Sequence, residues 1–65
     1  MSFQQPTGYA FQLGQAVVIN VSGEQGTVRA RGDGVDRPNQ YFVSYCNAQG
    51  VATEQWWNED QLSLD

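Results

Sequence analysis

Histidine and lysine are missing from this chain, cysteine occurs once, and proline only twice. Without histidine there is no imidazole to serve as a general base, and no zinc set of the usual Cys and His type can be assembled. Cys46, alone, cannot close an internal disulfide, and with no histidine to activate it the thiol reads as a small strand residue suited to a reducing cytoplasm. Without lysine, positive charge falls to Arg29, Arg31 and Arg37, set against seven acids for a net charge of −4. That balance disfavours nucleic acid, because phosphate contacts draw on clustered Lys and Arg to release counterions. No apolar run approaches roughly eighteen residues and no basic stretch precedes an apolar one at the start, so neither a membrane partner nor an export signal is expected. The expected location is the cytoplasm.

Against these absences stand two Trp, three Tyr and three Phe in 65 residues, a length that makes one small domain with a marginal core. Both tryptophans sit in residues 51–62, VATEQWWNEDQL. This stretch reads as a strand running into one helical turn, with Asn58 as N-cap, Gln61 in the capping-box position, and Glu59 and Asp60 at the positive end of the helix dipole. Side chains alternate along a strand, so Trp56 and Trp57 face opposite ways and only one of them can enter the core.

The remaining chain alternates in short runs. Residues 1–8, MSFQQPTG, are polar and aperiodic and read as a flexible arm; residues 9–65 form the domain. Tyr9, Phe11 and Leu13 suggest an extended lead-in whose aromatic side closes one end of the core. Residues 16–21, AVVINV, predict a strand with Val17, Ile19 and Val21 on one face, and residues 27–31, TVRAR, a second with Val28 and Ala30 inward. The turn at residues 22–26 makes these a hairpin. Residues 32–39, GDGVDRPN, read as the longest loop inside the domain, where turn chemistry accounts for Asp33 and Asp36 without a calcium site and for the chance Arg31-Gly32-Asp33 tripeptide. Residues 40–46 form a third strand with Tyr41, Val43 and Tyr45 on one face and Phe42 and Ser44 on the other; residues 47–50 turn; residues 51–57 form a fourth strand, and residues 62–64 a short fifth. The expected core is Val17, Ile19, Val28, Ala30, Tyr41, Val43 and Leu62, with Trp57 closing an end.

Gly14, Val17, Ile19, Ser22, Gly23, Gly26, Thr27 and Val28 resemble the KOW and Tudor-like branch of SH3-like barrels, where a glycine precedes a strand and another lets the hairpin turn into a Thr-Val strand. Tyr41, Val43, Tyr45, Gly50, Trp56, Trp57, Glu59 and Leu62 resemble the end of small SH3-like proteins of bacteria and their phages. The resemblance implies an all-β fold, a small five-stranded antiparallel SH3-like barrel with one short helical turn before the last strand. A KOW-type nucleic-acid association is one alternative it carries. A fainter similarity is to the plasmid-borne type II dihydrofolate reductases, SH3-like tetramers in which a Gln-Ile-Tyr stretch lines the pore; Gln55, Trp56 and Trp57 stand in those places, with Leu62 at the matching spacing.

With no acid–base constellation or phosphate-cradling loop, a non-enzymatic protein needing no cofactor or metal is expected, binding a protein partner or its own copy through exposed aromatics. The candidate contact residues are Trp56, Phe42, Tyr45, Tyr9, Arg31, Asp33 and Arg37. A sharper version is a cage for methylated lysine or arginine built from Trp56, Tyr45 and Phe42 with Glu54, since cations favour aromatic faces backed by a carboxylate. The charge balance gives the first prediction. The protein should show no association with DNA or RNA tighter than about 1 μM at physiological salt, and a titration at two salt concentrations checks it.

Overall fold

The computed structural model describes residues 8–65. The arm expected over residues 1–8 lies outside these, apart from Gly8. Five antiparallel strands form one sheet: β1 (Ala16–Ile19), β2 (Gln25–Gly34), β3 (Arg37–Cys46), β4 (Ala52–Asn58) and β5 (Leu62–Leu64), in the order β4-β3-β2-β1-β5. A 3-10 turn, Glu59–Gln61, joins β4 to β5, and the described residues contain no α-helix. The Asn58 and Gln61 capping box is formed, with the Asn58 N–H donating to Gln61 Oε1 at 2.8 Å.

Glycines set the turns. Gly14, Gly23 and Gly50 all have positive φ, a region open to glycine because it lacks a Cβ. At residues 47–51 the Gly50 N–H donates to the Asn47 carbonyl and the Asn47 N–H to the Val51 carbonyl, a three-residue hairpin connection with glycine at its left-handed position. Gly26 acts through space: a Cβ there would lie 2.5 Å from Val43 and 2.8 Å from the Ser44 carbonyl oxygen.

Phe11, Val17, Ile19, Val28, Tyr41, Val43 and Leu62 form the core, with Tyr9, Tyr45 and Trp57 packed against it. The alternating runs predicted most of this. Three expectations are corrected. The first strand ends at Ile19, because Gly23 N–H and Ser22 N–H both turn back to the Ile19 carbonyl, and Val21 is left exposed. Residues 32–39 are not a loop but the far end of the β2–β3 hairpin, paired down to Gly34 and Arg37 and closed by Val35 and Asp36, the latter at φ 59°. Ala30 is not in the core: Val28 pairs with Val43 but Ala30 with Phe42, so Arg29 is an extra residue that reverses the facing of β2 beyond it. Arg31 consequently pairs with Tyr41 on the core side. There its guanidinium lies 4.5 Å from the centre of the Tyr9 ring and donates to the Phe11 carbonyl.

The lead-in is fastened at Tyr41, which is fully buried. Tyr9 and Phe11 meet its ring edge-on, with centroids 5.9 and 5.1 Å away. Its hydroxyl donates to Glu59 Oε1 at 2.5 Å and accepts from Ala10 N–H at 3.0 Å. The same carboxylate oxygen accepts from Ala10 N–H and Asn39 Nδ2, each at 3.3 Å. The hydrogen bond from Tyr41, joined by those from Ala10 and Asn39, outweighs partial burial and holds the Glu59 carboxyl below its ordinary value of 4.5. Burial, aided by the bond to Glu59, raises the Tyr41 hydroxyl above its ordinary 10.0.

The Glu59 contribution to stability is present above pH 4.5, where the unfolded carboxyl is already ionised, and is lost as pH falls through the lower folded value; that of Tyr41 is present below pH 10.0 and lost as pH rises through its raised value. Tyr41→Phe should cost about 1–2 kcal/mol and flatten both flanks of the stability–pH curve, measured by urea unfolding between pH 3 and pH 11. Gly26→Ala should cost about 1–3 kcal/mol, because the added methyl meets backbone that cannot yield without moving β3. Thermal unfolding followed by circular dichroism reads it.

Candidate functional site

The sheet has two unlike faces. The register of β3 with β4 pairs Tyr41 with Trp57 and Phe42 with Trp56. Trp57 therefore turns toward the core, edge-on to Tyr45 at 6.3 Å, while Trp56 lies on the opposite face, 47 % exposed. This settles which tryptophan goes inward. The Trp57 indole N–H is buried and has no hydrogen-bond partner among the described residues.

On the outer face Phe42 and Trp56 stand side by side with ring centroids 5.2 Å apart and planes inclined at 42°. Two devices make room for them. The extra residue at Arg29 puts small Ala30 opposite Phe42, and Gly32 carries no side chain where the tip of the Trp56 ring arrives, within 3.8 Å of where its Cβ would be. Ala30, Gly32, Phe42 and Trp56 thus form a shallow apolar strip across β2, β3 and β4. Ser44 and Glu54 pair beside it, Gln40 and Asn58 on its other side, the latter two joined by a 2.8 Å hydrogen bond. An open concavity of about 440 Å³ adjoins the Phe42 ring, lined by Phe42, Ser44, Ala52, Thr53 and Glu54.

The seven residues singled out from the sequence do not share one surface. Phe42 and Trp56 belong together. Tyr45 is on the core side, half-buried, its hydroxyl donating to Gln55 Oε1 at 3.4 Å. Tyr9 and Arg31 stack on each other at the lead-in. Asp33 and Arg37 lie on the projecting end of the β2–β3 hairpin, where the Arg37 side chain folds over Gly34. The cage of Trp56, Phe42 and Tyr45 is overturned by this placement, because Tyr45 and Phe42 are on opposite faces of β3. Cys46, at the exposed end of β3, lines a second open concavity of about 560 Å³ with Glu24, Thr27 and Tyr45. Among the described residues no three His, Cys, Asp or Glu side chains gather as a metal site, and no helix is long and apolar enough to cross a membrane.

Residue reading missed Gly32 and Ala30 as the floor of the aromatic strip. Gly32 has the composition of a loop around it, and nothing in the sequence announces the extra residue at Arg29. The alternation of residues 40–46, by contrast, was enough to separate Phe42 from Tyr45. Compared with known proteins, the chain matches no family model, no curated protein and no solved structure.

Proposed function

We propose that this chain is a non-enzymatic interaction module that associates with protein, its own copies included, through the Phe42–Trp56 strip. The observation that carries it is an indole 47 % exposed, packed against a second ring and lying over a glycine on the outer face of the sheet. Trp and aromatic residues concentrate binding energy at interfaces, and a chain this short gains from hiding a large ring between molecules. The acidic balance suits a neutral or basic partner surface rather than nucleic acid, and Arg31, one of three arginines, is already engaged with Tyr9 and Phe11.

The SH3-like reading of the fold belongs to the same proposal. It draws support from the strand order, in which a single 3-10 turn carries the chain from β4 at one end of the sheet to β5 at the other. It also draws on the Gly23 and Gly26 hairpin that leads into Thr27 and Val28.

Light scattering across concentration, followed by Trp56→Ala, tests the function. The wild-type mass should rise above the 7.2 kDa of one chain, and Trp56→Ala should stay at monomer mass while still unfolding cooperatively. A substitution that unfolds the domain would make Trp56 structural and remove the proposed surface.

A further inference from the structure

We propose that the open edge of β4 pairs antiparallel with β4 of a second copy about a two-fold axis at Gln55, joining the two sheets into one. This deepens the self-association reading above and rests on it. The backbone groups of β4 point alternately toward β3 and away from it. At the hairpin end the Asn47 N–H donates to the Val51 carbonyl, so Asn47 and Val51 are a hydrogen-bonded pair. Such pairs alternate along an antiparallel ladder, so Thr53, Gln55 and Trp57 direct their N–H and C=O groups at β3. Ala52, Glu54, Trp56 and Asn58 direct theirs the other way. The Asn58 N–H fits this phase, since it donates to the Gln61 side chain and not to β3.

No described strand lies on that side, because β4 ends the strand order. The edge therefore offers the backbone groups of Ala52, Glu54 and Trp56, and the Gln61 side chain closes it at Asn58. Among the described residues little else blunts it: the strand has no Pro, no Lys and no inward charge, and Glu54 is its one charged side chain.

The occupant that fits is the same strand, because the free edge is self-complementary. A two-fold at Gln55 sets Glu54 of each copy opposite Trp56 of the other, and both have outward-pointing N–H and C=O groups, giving two hydrogen-bonded pairs. Moving the axis to Glu54 would face carboxylate with carboxylate. Moving it to Trp56 would put Glu54 opposite Asn58, whose N–H is already taken, and leave only the central Trp56 pair complete, whereas at Gln55 the Asn58 N–H costs only the outer pair with Ala52. With the axis at Gln55 the two Trp56 rings are diagonal neighbours, a separation that aromatic side chains bridge. The strip Ala30–Phe42–Trp56 then runs across the axis into its copy. On the other face, the two Gln55 side chains meet in a non-hydrogen-bonded pair, the Oε1 of each accepting from Tyr45. The arrangement is isologous and closed about its axis.

Two variants of the full chain test the pairing. Proline at position 54 removes no bond to β3, because the Glu54 N–H points outward, but it removes a donor the partner needs. Glu54→Pro should therefore be monomeric by light scattering with an unchanged far-ultraviolet spectrum, where the wild type approaches twice 7.2 kDa. Should that variant not fold, a disulfide trap decides: in a Cys46→Ser background, Gln55→Cys should cross-link to itself under mild oxidation and Thr53→Cys, opposite Trp57 of the partner, should not. Because both copies are acidic, added salt should strengthen the dimer, whereas a basic partner would be released by it. A wild type monomeric at every concentration, or cross-linking at Thr53→Cys as strong as at Gln55→Cys, overturns the pairing. A folded Glu54→Pro that stays dimeric while Trp56→Ala is monomeric overturns the edge and leaves the aromatic surface standing. A Trp56→Ala variant as dimeric as wild type sinks the surface reading itself.

Discussion

Everything on the core side of the sheet converges on the bond from the Tyr41 hydroxyl to Glu59. A tyrosine ring that is fully buried must still satisfy its hydroxyl, and here the partner is a carboxylate at the start of the 3-10 turn. That one oxygen links three places far apart in sequence: the lead-in at Ala10, β3 through Asn39 and Tyr41, and the connection that delivers β5. The turn itself is fixed by its capping box, so Glu59 is held where the hydroxyl needs it. Phe11 is drawn into the core by the same arrangement, because the Ala10 and Phe11 amides both bond to the Tyr41 oxygen. The described residues thus close the open end of the sheet with a charge-assisted polar contact.

Much of this was legible in the residues. Period-2 alternation marked Val17, Ile19, Val28, Tyr41 and Val43, and the Asn58-to-Gln61 spacing marked the turn that returns Leu62 to the core. What failed did so for local reasons. Val21 continues the β-branched pattern of β1, but the pattern cannot say where a chain turns, and the Gly23 turn begins early. The stretch from Gly32 to Asn39 has the composition of a loop; it is strand because two antiparallel segments of one hairpin satisfy each other's backbone whatever their side chains. Leu13 is exposed because it sits in the turn closed by the Gln15 N–H on the Gln12 carbonyl.

The candidate site was legible to a lesser degree, and the limit is register. Alternation alone required one tryptophan inside and one outside. Only the pairing of Tyr41 with Trp57 and Phe42 with Trp56 joins an outer ring to an outer ring across strands. Cross-strand neighbours of this kind are the unit by which a sheet face acquires its character, and no single strand contains them. The direction of the free backbone groups on β4 is likewise a property of the ladder and is silent in the sequence.

The extra residue at Arg29 has a consequence for how this chain tolerates change in length. Pairing resumes beyond it as Ala30 with Phe42 and Arg31 with Tyr41, the partners a shorter, regular β2 would also have. Arg29 is therefore a spare position. Loss of Ala30 or Arg31 would also close the bulge, but with Arg29 opposite Phe42, a long side chain where the strip has its small floor, and loss of Arg31 would take the guanidinium from Tyr9 as well. Along this strand a lineage could shed a residue at Arg29 and keep its aromatic surface, whereas one lost a step or two later would crowd it with an arginine.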